Sequence, residues 1–178
     1  MIIVLVIPAA PTAPIHRRRL DPADIPAMER IVGGGLHPVS LTDPESSLYL
    51  PAPGPKTRPI NRPLNERATA LAAFHIRPFQ PQRVLRGDAI LTGPTDEDGQ
   101  DTDAPDDLIR ILDSSRVCVR TRNRGDRRWS SAGDAYPGLC HAYIHTCKAV
   151  LRIPVEDRPL IRIIAASHIA RERKGNQP

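Results

Sequence analysis

The chain has 178 residues, of which 40% are apolar and 25% charged, with 20 prolines and only six aromatic side chains. Such a composition excludes a membrane-spanning bundle and a wholly disordered polymer, and it leaves room for one ordinary domain or two small ones around an aliphatic core. Lys and Arg number 25 against 20 acidic residues, a net charge of +5; that sign suits nucleic acid or another anionic surface, although 22 of the cations are Arg, a skew that GC-rich coding also produces.

Residues 2–7 are β-branched at five of six positions and do not alternate, which predicts a strand covered on both faces, followed by a Pro/Ala turn and a polar strand over 15–20 that closes a hairpin. Ile25, Met28 and Val32 then fall at i, i+3 and i+7. Asp24 stands as N-cap and the glycines at 33–35 stop this short amphipathic helix. Strands are predicted over 36–41 and 47–50, joined by a turn-forming Thr-Asp-Pro-Glu-Ser segment. Five of the thirteen residues in 51–63 are proline, which removes amide donors and predicts an exposed loop. Asn65 caps a helix running to about Phe74, and 87–92 reads as a buried strand.

An acidic loop over 95–107 leads into a helix opening at Asp103 or Ala104, where Asp106 and Asp107 face the positive end of the macrodipole. Leu108, Ile111 and Leu112 form its apolar face. A second module over 115–167 begins with alternating Val and Arg at 116–122, a turn at 123–126 and a return strand through Trp129. Cys140, Ile144, Cys147 and Leu151, with Leu139, Tyr143 and Val150 widening the stripe, are spaced as the core face of a helix over 138–152, and 160–166 is a strand. The predicted class is therefore α+β in two modules: a mixed sheet with short helices over 1–113 and a ββαβ unit over 115–167. Residues 168–178 form a basic tail expected to be disordered.

Cys118, Cys140 and Cys147 are an odd number without CxxC spacing, which argues against a disulfide framework and for a reducing compartment. No positive charge precedes the short apolar run at 2–7, and Pro8 ends it, so it does not read as a signal peptide. No window approaches the ~20 apolar residues that a spanning helix needs. The expected location is the cytoplasm, away from any membrane.

The first module carries a series of short motifs in order: the Ile/Val-rich strand ending at Pro8, Ile31-Val32-Gly33-Gly34, Leu48-Tyr49-Leu50, Pro63-Leu64-Asn65 with Ala68-Thr69, Gly87-Asp88-Ala89-Ile90, Gly93-Pro94, and Asp98-Gly99 ahead of Asp103-Ala104-Pro105. In these it resembles an uncharacterised family of small actinobacterial and phage proteins, a domain of unknown function. That resemblance implies an α+β fold and a phage or mobile-element setting, and it brings no catalytic residue. The second module is left unassigned.

Several residue patterns invite a chemical reading. The acidic loop holds seven carboxylates between Asp96 and Asp107, yet setting Gly99 at the sixth position of a calcium loop puts Pro94 first and Pro105 twelfth, and neither can ligate. His141 and His145 have i, i+4 spacing but share a helix face with Lys148 and Arg152, whose charges oppose a metal. The glycines at 33–35 leave a helix instead of entering one, so they cap it and do not cradle phosphate. Arg124-Gly125-Asp126 is a hairpin turn. No GxSxG elbow or activated cysteine appears, and a meeting of Asp88 with His75 is not visible in sequence. No metal site, cofactor or catalytic residue is expected, and the chain reads as a non-enzyme.

The positive feature is residues 116–128, six Arg against the one acid Asp126. Alternation places Arg116, Arg120 and Arg122 on one face, and Arg124, Arg127 and Arg128 surround the turn. Such a ribbon can contact phosphates or read guanine edges, whereas the few aromatics disfavour base stacking and the acidic loop repels a phosphate backbone. The leading expectation is a non-catalytic accessory protein of phage or mobile-element type that binds an unidentified macromolecule, a protein ahead of nucleic acid. The alternative is a nucleic-acid-binding protein using these six arginines and the C-terminal tail. Oligomeric state is left open.

Overall fold

The computed structural model describes residues 1–53, 61–76, 84–123, 125–131, 133–154 and 157–167. Most of the Pro-rich segment and the expected basic tail, together with Arg124, lie outside the described residues. Among the described residues the architecture is α+β, with eight strands in two antiparallel sheets and four helices.

The first sheet orders its strands β2-β1-β5-β4-β3, from β1 (Ile2–Ile7), β2 (His16–Leu20), β3 (Leu36–Thr42), β4 (Glu45–Pro51) and β5 (Ala89–Thr92). Every registered pair is antiparallel, so the expected mixed sheet is corrected to a purely antiparallel one. The chain reaches this arrangement through the predicted β1–β2 hairpin, the tight β3–β4 turn, and β5 inserted between β1 and β4. β1 is covered on both faces, as its non-alternating Ile/Val run predicts. Leu5 and Ile7 enter the main core, whereas Val4 joins Leu20, Met28, Val32 and Ile90 in a smaller cluster under α1 (Ile25–Val32). Asp24 caps α1 by accepting from the Ala27 N–H at 3.0 Å, and Gly33 ends it in the left-handed conformation at φ 77°, its N–H reaching the Glu29 carbonyl.

On the other face lies α2 (Glu66–His75), whose residues from Ala68 to His75 are all buried. A helix buried all round must have small or apolar side chains on every side, and four of its ten residues are alanine. It is fastened at both ends. Asn65, fully buried, accepts from the Ala68 N–H at 2.9 Å while its Nδ2 donates to the carbonyls of Ile7 (2.8 Å) and Gly87 (2.9 Å). Arg67 then gathers the loop after β1 by donating to the carbonyls of Pro8, Ala10 and Ala13. At the far end the His75 ring bonds the Asp43 carbonyl, and Thr42 Oγ1 donates to the His75 carbonyl at 2.9 Å.

α3 (Asp106–Asp113) begins later than its charge pattern predicts. The Asp103 carboxylate accepts from the Ile3 N–H at 2.6 Å and the Ala104 N–H donates to the Ile3 carbonyl, so these residues are tied to β1. Ala104 also precedes a proline, which disfavours helical backbone there. This return passes close to Gly93, where a methyl group would collide with the Asp103 carbonyl and the Thr102 hydroxyl.

The second sheet runs β7-β6-β8, from β6 (Val117–Arg122), β7 (Ser130–Ser131) and β8 (Leu160–Ala165), with α4 (Leu139–Val150) between the last two in sequence. β6 pairs with β8 along its whole length, whereas the expected return strand is cut to two residues. The chain leaves the ladder after Ser131 and rejoins it at Tyr136, which exchanges both backbone hydrogen bonds with Val117. Val117, Val119, Ile161 and Ile163 point inward and join Leu5, Leu71, Leu108 and Leu139 in one continuous cluster, so residues of both halves of the chain share a core.

The core face of α4 also differs from expectation. Leu139 and Val150 of the predicted stripe are buried together with Ala142 and Thr146, whereas Ile144 and Leu151 of that stripe are 50% and 53% exposed. Both sets have helical spacing. The observed phase is permitted because Thr146 satisfies its hydroxyl by donating to the Ala142 carbonyl at 2.7 Å, and it sets Tyr143 edge-on against Phe74 of α2. Among the described residues no helix is long and apolar enough to cross a membrane.

Replacing Asn65 by Ala strands two buried carbonyls and one helix N–H, and the expected loss is about 3 kcal/mol or more. Asn65→Asp keeps the cap but sets a carboxylate against the Ile7 and Gly87 carbonyls, so it should be no more stable. Urea midpoints at unchanged m-value check both variants.

Candidate functional site

The outer face of the second sheet is built by the period-2 alternation of its strands. With Val117, Val119 and Thr121 on one side of β6, the side chains of Arg120 and Arg122 emerge on the other, and Arg120 stands directly opposite Arg162 of β8. Like charges directly opposite one another destabilise a sheet, and here an indole relieves them. The Trp129 ring has the Arg162 guanidinium 4.6 Å and the Arg122 guanidinium 4.9 Å from its centroid, both within the range at which a cation is attracted to the negative face of the ring. Arg120 holds the backbone of that residue by donating to the Trp129 carbonyl at 2.8 Å. Three arginines and the single tryptophan of the chain thus form one half-buried surface drawn from β6, β8 and the segment before β7.

Of the six arginines singled out from sequence, Arg120 and Arg122 belong to this surface. Arg116 precedes β6 and donates to the Ala135 carbonyl at 3.2 Å. Arg127 and Arg128 are exposed beside Trp129, and Arg124 falls outside the described residues. Arg162 and Trp129 were not among the predicted residues. The available signal was the ββαβ order itself: an antiparallel β8 against β6 places alternate residues of both strands on one face, and Arg162 has the required parity.

Two carboxylates of the acidic loop bond backbone amides, whereas Glu97, Asp98, Asp106 and Asp107 are exposed. Asp96 accepts from the amides of Asp98 and Gln100 at 3.0 and 2.8 Å, Thr95 bridges Asp101, and Asp103 holds Ile3. Burial, reinforced by a hydrogen bond to Asp101, pushes Tyr49 up to about 12. Among the described residues no group of three His, Cys, Asp or Glu side chains is placed to hold a metal ion. His141 and His145 are exposed, and the His145 ring lies against Tyr136 at 5.2 Å. Burial raises the thiols of Cys118, Cys140 and Cys147 above the ordinary cysteine range, so none has the thiolate character of a nucleophile. Tyr143 is also pushed up to about 12, first by burial and then by its hydrogen bond with Cys147.

No protein-family model, curated protein or solved structure matches this chain.

The two raised phenols set an alkaline limit. An unfolded tyrosine ionises near 10 while Tyr49 and Tyr143 hold their protons to about 12, so the folded state binds more protons in that window and loses stability as pH rises from 10 towards 12. Denaturation midpoints across that range should fall less steeply in a Tyr49→Phe, Tyr143→Phe double variant than in the parent chain.

Proposed function

We propose that this chain acts by binding, without chemistry of its own, and that the outer face of the second sheet receives a single strand of nucleic acid. The observation that supports this reading is the assembly of Arg120, Arg122 and Arg162 around Trp129. Guanidinium groups supply charge for a phosphate backbone, and an indole supplies a surface on which any base can stack. Arg127 and Arg128 extend the positive field from the adjoining loop. A role as an accessory protein in a phage or mobile-element setting, in which single strands arise during replication and transfer, is consistent with such a surface. A two-residue β7 suits this reading better than a long β-ribbon laid into a duplex groove.

The test is titration with an oligothymidylate and with a duplex of equal length, each carrying a fluorescent label, read through the anisotropy of that label. Binding should favour the single strand and weaken as salt rises, with a slope near −0.7 for each phosphate neutralised. Arg122→Ala and Arg162→Ala should each flatten that slope, whereas Trp129→Phe should weaken binding with the slope kept. Absent or salt-independent association would overturn the reading.

A further inference from the structure

β2 closes one side of the first sheet, and among the described residues no strand pairs with its outer side. The backbone groups it offers there follow from the ladder. Ile3 accepts from the Ala104 N–H and donates its own N–H to the Asp103 carboxylate, and the Ile7 carbonyl accepts from Asn65, all on the side of β1 away from β2. In an antiparallel ladder, successive residues direct their backbone bonds to opposite sides. Ile2, Val4 and Val6 therefore serve β2, where the register sets them against Leu20, Arg18 and His16. That leaves Arg17 and Arg19 to direct an N–H and a C=O each outward, ~7 Å apart along the strand.

The side chains give this edge its sign. Arg17, Arg18 and Arg19 are all exposed. Among the described residues the one carboxylate paired with them is Asp113, which meets Arg17 in a solvent-exposed ion pair of the kind that contributes little. Because strand neighbours alternate faces, a chain laid beside β2 meets a guanidinium opposite each of three successive positions, and carboxylates placed there form opposite-charge cross-strand pairs. The backbone decides between the two anionic polymers that could come here. Phosphate oxygens accept hydrogen bonds and cannot donate to the outward carbonyls of Arg17 and Arg19, whereas a peptide backbone both donates and accepts.

We propose that the outer side of β2 receives an extended acidic segment of a partner protein, added antiparallel as a further strand of the first sheet. Its main chain exchanges hydrogen bonds with Arg17 and Arg19, and three consecutive carboxylates face Arg17, Arg18 and Arg19. The site shares no residue with the Arg/Trp face of the second sheet and does not depend on the nucleic-acid reading.

The probe is an acetylated, amidated heptapeptide, Thr-Val-Glu-Glu-Glu-Val-Thr, added to the isotopically labelled whole chain. In the free chain the Arg18 amide should be protected from hydrogen exchange and those of Arg17 and Arg19 should not. Binding with Kd of about 1 mM or tighter is expected, and at about ten times Kd the peptide should slow exchange at Arg17 and Arg19 roughly tenfold. Methylating the backbone nitrogens of the first and third Glu, which face β2, should abolish binding, whereas methylating the central one should leave it within about twofold. Arg18→Glu with Arg19→Glu should weaken binding at least about tenfold and transfer it to the peptide with Lys in place of Glu. Both side chains are exposed, so the unfolding midpoint should hold. Trp129→Phe and Arg122→Ala should bind the heptapeptide as the parent does, which separates this outcome from the fate of the strand-binding face. Equal binding of the two methylated peptides, unchanged exchange at Arg17 and Arg19, protection of the same two amides by oligothymidylate, or a dimer of the free chain that buries β2 would overturn the proposal.

Discussion

The Asn65 carboxamide joins three elements at a single buried point. Its oxygen starts α2, and its two amide hydrogens close the C-terminal end of β1 and the approach to β5. Because the group is fully buried, its hydrogen bonds form away from water, where leaving any one unmade costs much more than making it contributes. The N-terminal end of α2 is therefore held over the first sheet by this side chain. Everything packed on α2 inherits that position, including Tyr143 of α4 through Phe74 and the inner residues of the second sheet through the shared core.

A helix enclosed on all sides has a second effect. With alanine at Ala68, Ala70, Ala72 and Ala73, α2 has little bulk to hold its neighbours apart, so α4 and β8 close onto it. The second sheet thereby commits its inner face to the core and keeps its outer face for Arg120, Arg122, Arg162 and Trp129. The same closure places α3 beside the edge of β8.

Much of this organisation is legible in the sequence where the cause is local. The covered strand at the N-terminus, the caps at Asp24 and Asn65, and the stop at Gly33 each depend on residues within a turn of one another, and each is found in the structure. What was not legible depends on distant partners. Asn65 reads as a cap, but its carbonyl partners lie 58 and 22 residues away. The start of α3 is displaced because Asp103 serves β1 instead of a helix terminus. In α4 two stripes satisfy the same period, and only the neighbours on α2 decide between them. The candidate face was half visible for a similar reason: Arg120 and Arg122 stand in a conspicuous run, whereas Arg162 is a single cation in an apolar strand and acquires meaning only through its register with β6.

The outermost strand of the first sheet, β2, exposes Arg17, Arg18 and Arg19 in succession along a rim whose backbone has no further strand beside it among the described residues. Arg17 is tethered to Asp113 at 3.0 Å across the gap to α3. A second molecule approaching edge to edge would meet arginine with arginine at close range, and that encounter is repulsive. Along β2 the rim therefore disfavours extension of the sheet by its own copies, which an uncharged border of the same length would invite.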